Sequence, residues 1–127
     1  MLFRSQKVPN LVVTAGKNHI AAKIAATTNS PVSMTHMAIG TGTTSAAAGD
    51  TTLGTEGGRV SLSGSVVSTN TITYTATFPA GTGTGAVTEA GIFNASSGGT
   101  LLCRTTFPAV NKASGDSIAI TWVVTVS

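Results

Sequence analysis

The eight residues TITYTATF, Thr71 to Phe78, constrain the fold more than any other stretch. Ile72, Tyr74, Ala76 and Phe78 occupy alternate positions, with Thr71, Thr73, Thr75 and Thr77 between them. Successive side chains of an extended chain point to opposite faces, so this pattern predicts a strand with one buried and one polar face. Such a strand needs a second layer to cover its apolar side. DSIAITWVVTV repeats the pattern near the C-terminus, with Ile118, Ile120, Trp122, Val124 and Val126 on one side and Ala119, Thr121, Val123 and Thr125 on the other. It predicts a second strand, central in its sheet.

Four less regular segments, SMTHMAI, RVSLSGSVV, AVTEAGIF and TLLCRTTF, are separated by links rich in Gly, Ser, Asn and Pro. Together they bring the expected strand count to six. The links STN (Ser68 to Asn70) and ASSGG (Ala95 to Gly99) have hairpin length and favour antiparallel neighbours. Ahead of the strands, AGKNHIAAKIAA places Ile20 and Ile24 four apart among helix-favouring alanines, with Thr14 as a cap. This predicts a helix near 15–26, ended by TTNSP. Its stripe is narrow and Gly16 weakens its first turn, so it must pack on a sheet or a partner.

Residues 1–10, with Leu2, Phe3, Arg4, Lys7, Val8 and Pro9, read as an extended basic arm. The remaining residues, 11–127, have the length of one domain with its own core. The fold class expected is mainly β: an antiparallel β-sandwich or jelly-roll-like domain with one N-terminal α-helix and an extended arm.

Charge bears on partners. Only 9% of the residues are charged, far below what keeps a small free domain dispersed, so much of the surface is expected to face other proteins. Arg4, Lys7, Lys17 and Lys23 fall in the first 23 positions without an acid among them, which suits a solvated face or an acidic partner. Aromatic residues for base stacking are scarce, so no direct nucleic-acid contact is expected. No apolar run approaches the roughly 20 residues of a membrane-spanning helix, and the N-terminus lacks the apolar core of a secretory signal.

The sequence carries few catalytic signals. MAIGTGTTSAAAGD has the look of a phosphate loop, but Ser45 stands where a dinucleotide fingerprint needs a third glycine or alanine, and the lysine and hydroxyl pair of a P-loop is missing. A second GTGT, in AGTGTGAVTEAG, reads as a strand-connecting loop of similar composition. Asp50, Glu56, Glu89 and Asp116 are scattered, and His19 and His36 lack neighbours at metal-ligand spacing. Cys103, the single cysteine, reads by its alternation with Leu101 as a small core residue. No enzyme activity, cofactor or metal is expected. Glu89 is the exception among the acids: it interrupts a small apolar strand and, if partly buried, needs a cation. Arg104 or Arg59 could supply a structural or intersubunit pair, with solvent exposure as the rival.

VVTAGKNHIAAKIAA, MAIGTGTTSAAAGDTTLGTE, ITYTATFPAGTGTGAVTEAGIFNASSGGTLLCRTTF and DSIAITWVVTV, in succession, resemble a family of tailed-bacteriophage virion structural proteins. TEAGIFN followed by GGTLLCRTTF is the most specific part. The resemblance implies a part of the virion, assembled in the host cytoplasm: a capsid decoration or cement protein, or a tail-fibre, collar or head-fibre module binding virion proteins or host glycan. The chain ends at its last strand without shaft repeats, and one domain has little reach as a fibre, which favours the capsid surface. The implied partners are the major capsid protein and further copies of the chain, as trimer or dimer. Leu2, Phe3, Arg4, Lys7, Val8, Lys17 and Lys23 are the expected capsid contacts. Burial of Leu2, Phe3 and Val8 does not by itself offset ordering the arm, so it is expected to order where capsid backbone and acidic groups add bonds.

Overall fold

The computed structural model describes residues 10–25 and 31–126. Its elements run β1 (Leu11–Val12), α1 (Thr14–Ala25), β2 (His36–Gly40), β3 (Glu56–Ser61), β4 (Gly64–Ser68), β5 (Thr71–Phe78), β6 (Gly85–Phe93), β7 (Leu101–Lys112) and β8 (Ile118–Thr125). They form a five-stranded sheet, β1-β7-β6-β2-β3, and a three-stranded sheet, β4-β5-β8. Every pairing is antiparallel. Met37, Ile39 and Ile92 of the larger sheet meet Tyr74, Ala76, Phe78, Trp122 and Val124 of the smaller in one apolar core. The protein is an antiparallel β-sandwich with one helix.

The period-two reading of β5 is clear from Tyr74 onward, where Tyr74, Ala76 and Phe78 are buried, Thr75 is half-buried and Thr77 is exposed; Thr71, Ile72 and Thr73 are all half-buried. In β8, Trp122 and Val124 are buried while Ala119, Thr121, Val123 and Thr125 are exposed. Ile118 and Ile120 are half-buried, and Val126 lies past the strand and is exposed. The expectation that β8 is central needs correction, since among the described residues it pairs only with β5.

The described residues hold eight strands rather than six. One addition comes from RVSLSGSVV, which looks continuous but turns a corner between sheets. Leu62 N–H donates to Thr35 O at 2.8 Å, beside the larger sheet, and Ser63 N–H donates to Thr75 O at 2.7 Å, in the smaller. The other is β1, whose two residues pair with Arg104 and Cys103 of β7. β7 itself continues to Lys112, past the proline that signals a strand end. Pro108 has no N–H to donate, and the ladder accommodates it by skipping: Glu89 pairs with Thr106, whereas Val87 pairs with Val110.

The helix starts one residue earlier than expected. Lys17 N–H donates to Val13 O at 3.0 Å, so Val13 rather than Thr14 stands at the cap. Its buried residues are Gly16 and His19, while Ile24 is 78% exposed. The face against the sheet is therefore set by backbone approach and not by an isoleucine stripe. A Cβ on Gly16 would overlap the carbonyl of Leu102 in β7, so only glycine lets the helix sit this close.

Candidate functional site

The glycine-rich segment between β2 and β3, residues 41–55, lies over the outer face of the five-stranded sheet. Leu53 anchors it in a second apolar cluster with Val13, Ala38, Phe93 and Leu101. The rest of its anchorage is polar and converges on one buried carboxylate, that of Glu89 in β6. Gly42 and Thr55 N–H groups donate to Glu89 Oε2, each at 2.7 Å, and Gly54 N–H donates to Oε1 at 2.7 Å. Arg104, next to this carboxylate on β7, donates to Oε1 from Nε at 3.1 Å and from Nη2 at 2.9 Å. Its Nη1 donates to Asp50 Oδ2 at 2.9 Å and Nη2 also to Thr44 O at 2.8 Å, so the guanidinium grips the same segment from beneath. Thr88 Oγ1 adds a bond to Gly42 O at 2.6 Å.

Glu89 is fully buried and Arg104 is 2% exposed. Burial alone would push the Glu89 pKa up. The amides of Thr55, Gly54 and Gly42 and the Arg104 guanidinium outweigh it, and its carboxyl is held below the ordinary carboxylate range. Gly42 is required here, because a Cβ would overlap the carboxylate. The segment thus behaves as an anion-binding loop whose anion is covalently part of the protein. With five donors on two oxygens, Glu89 has no lone pair to spare for a substrate proton, and each Arg104 nitrogen is engaged. What this arrangement does chemically is fix a long, charge-poor loop in one conformation.

Arg59 is not part of this cluster. It donates to Glu56 from Nε at 2.9 Å and Nη2 at 2.7 Å, and to the carbonyls of Ala95 and Gly98 from Nη1, each at 2.9 Å. Its guanidinium stacks 3.7 Å from the centroid of the Phe93 ring, which clamps the β6–β7 turn. Lys17 and Lys23 stand exposed on α1. Leu2, Phe3, Arg4, Lys7 and Val8 lie outside the described residues. Cys103 is buried in the inter-sheet core, where burial pushes its thiol pKa up and keeps it protonated. Leu101 belongs to the other cluster, because a register irregularity at Ile92/Phe93 breaks the alternation between the two residues. No group of three or more His, Cys, Asp or Glu side chains suited to a metal occurs among the described residues.

Two buried polar residues escape sequence reasoning. Lys112 ends β7 and is 1% exposed; its ammonium donates to Pro79 O at 2.8 Å and Asp116 O at 2.7 Å, which ties two turns together. No charged neighbour in sequence announces it, since both acceptors are carbonyls. His19 faces a cleft of about 230 Å³ between α1 and the sandwich, lined also by Ile20, Tyr74, Leu102 and Val124. Its Nδ1 has no hydrogen-bond partner among the described residues, and burial, followed by the charge of Lys23, lowers its pKa.

The outward face of the smaller sheet differs in kind. β4, β5 and β8 contain no charged residue. Val66, Thr73 and Val123 form a cross-strand row on this face, flanked by rows containing Thr71 with Thr125 and Thr75 with Thr121. Val66 is 64% and Val123 50% exposed. No protein-family model matches the chain, and no curated protein matches its sequence.

Proposed function

We propose that the protein is a non-enzymatic structural component of a tailed-phage virion, a decoration protein that bridges major capsid subunits and cements them. The observation that carries this reading is the division of polar groups. The strongest polar cluster, Glu89 with Arg104 and Asp50, is turned inward to hold a loop, while the face of the smaller sheet is left charge-free and rich in threonine and valine. A surface of that kind suits close contact with protein, where a charge would need a partner and a small side chain lets backbones approach. The resemblance of TEAGIFN and GGTLLCRTTF to virion proteins supports the same class.

In this reading, copies associate around a local symmetry axis and span neighbouring capsid subunits. The cations at the N-terminal side, Arg4, Lys7, Lys17 and Lys23, meet acidic groups of the major capsid protein. The test is to mix purified protein with expanded heads lacking it and to measure copies bound after sedimentation. Saturation at a number set by capsid symmetry supports decoration. Attachment to tails or host cells, with none to heads, would instead favour a fibre or collar module.

A further inference from the structure

The cleft of about 230 Å³ between α1 and the sandwich combines apolar walls with basic groups. His19 and Lys23 lie four residues apart on α1, as do Ile20 and Ile24, so the two pairs share one helix face and form one wall. Tyr74 of β5, Leu102 of β7 and Val124 of β8 form the other, so both sheets contribute to it. Sites for drug-sized ligands run to about 300–1,000 Å³, and a smaller space suits one short aliphatic tail. The apolar surface continues to the mouth, where Ile24 is 78% and Val126 44% exposed.

Charge selects the head group. His19 and Lys23 border this space, and no acid lines it. The chain has four acidic side chains, and each is engaged elsewhere: Asp50 and Glu89 with Arg104, Glu56 with Arg59, and Asp116 with the N–H of Ala113. None of them answers the two basic groups. Lys23 is exposed and so stands at the mouth. His19 is 8% exposed, and its Nδ1 has no hydrogen-bond partner among the described residues. A buried polar group without a partner costs stability, which a ligand with a polar end can recover.

We propose that this cleft binds a small aliphatic carboxylate, its tail between Ile20 and the wall of Tyr74, Leu102 and Val124, its carboxylate held by Lys23 within reach of the His19 ring. The tail buries apolar surface on both sides, and the head supplies the negative charge that the chain does not. Bound there, the carboxylate faces His19, Lys23 and the Tyr74 phenol as the titratable groups of the cleft. It favours the protonated imidazole, against the burial and the Lys23 charge that disfavour it in the unliganded protein.

NMR titration of the full chain with octanoate tests this. Saturable shifts are expected at His19, Ile20, Tyr74, Leu102 and Val124, with half-saturation below about 1 mM for a ligand of this size. The His19 titration should move to higher pH with octanoate bound, while His36, which does not line the cleft, serves as the reference and is unchanged. Lys23→Gln should weaken binding roughly two- to fivefold, the range for an exposed ion pair. Ser33→Trp, at an exposed position lining the cleft, should fill the mouth and abolish binding in a chain that stays folded. Octylammonium, with the same tail and the opposite charge, should bind at least fivefold more weakly and leave the His19 titration in place. Absence of saturable shifts, equal affinity for octylammonium, or unchanged binding by both variants would overturn the proposal. Shifts of equal size at Val66 and Val67, exposed on β4, would also overturn it, by showing that the tail adheres to apolar surface in general.

Discussion

Replacing Glu89 with glutamine changes one atom and should destabilise the protein severely. The carboxamide keeps the shape of the carboxylate but turns one acceptor oxygen into a donor. With the amide nitrogen at Oε2, it faces the N–H groups of Gly42 and Thr55 across 2.7 Å; flipped, it faces Gly54 N–H and two nitrogens of Arg104. Either way at least two buried donors lose an acceptor, at about 1–3 kcal/mol each. Arg104 also loses its buried counter-charge and keeps only Asp50, in a setting where breaking a pair costs about 3–5 kcal/mol. The two penalties overlap, so a total of about 3–5 kcal/mol is expected, a large share of the roughly 5–15 kcal/mol of a typical domain. Urea unfolding followed by Trp122 fluorescence measures it, with the midpoint falling and the slope unchanged. The same carboxylate sets the acid limit. Its pKa is depressed in the folded state, so its stabilisation is complete above the unfolded carboxylate range near pH 4.3 and is lost as pH falls through the lower folded value. Glu89→Gln should abolish that part of the acid transition. A loss below about 1 kcal/mol, with the acid limb intact, would show that the network does not hold the loop as described.

Trp122→Ala, in the inter-sheet core, should cost about 3–5 kcal/mol in the same unfolding assay, and a native-like variant would place that ring elsewhere. Gly16→Ala should lower stability by about 1–3 kcal/mol, against the usual gain of alanine in a helix, because its methyl overlaps the Leu102 carbonyl. The buried, neutral His19 binds fewer protons when folded than when unfolded, so stability should fall as pH drops through about 6.5 toward its depressed folded pKa; His19→Leu should flatten urea midpoints between pH 7 and 5. Head attachment should weaken with rising salt, and a variant with glutamine at Arg4, Lys7, Lys17 and Lys23 should bind less at low salt with a shallower salt dependence; equal binding by the variant would remove charge from the mechanism.

Strand alternation made the sandwich legible because burial on one face leaves a period-two record, clearest in β5 and β8. Elements that lack that record were harder to see. β1 is too short for a pattern, the β3–β4 corner keeps its apolar residues on both sides of a sheet switch, and α1 packs through Gly16, His19 and Ile20 while Ile24 is exposed. Glu89 stood out because an acid within AVTEAGIF cannot rest against apolar neighbours without help. Its partners were only half visible: Arg104 is a cation in the following strand, but the amides of Gly42, Gly54 and Thr55 have no side-chain signature. A glycine-rich segment suits an anion, and only the tertiary structure shows that the anion is Glu89. Lys112 and the Arg59 stack on Phe93 were illegible for the same reason, since carbonyl acceptors and ring faces leave no charge pattern.

Imaging intact virions at a resolution that places a domain of this size tests the proposed role most directly. Density for the sandwich is expected on the head lattice, repeated with capsid symmetry over joints between major capsid subunits, with the charge-free sheet or the 41–55 loop in protein contact. Density confined to the tail or a fibre, or a head surface bare of this domain, would contradict a decoration role.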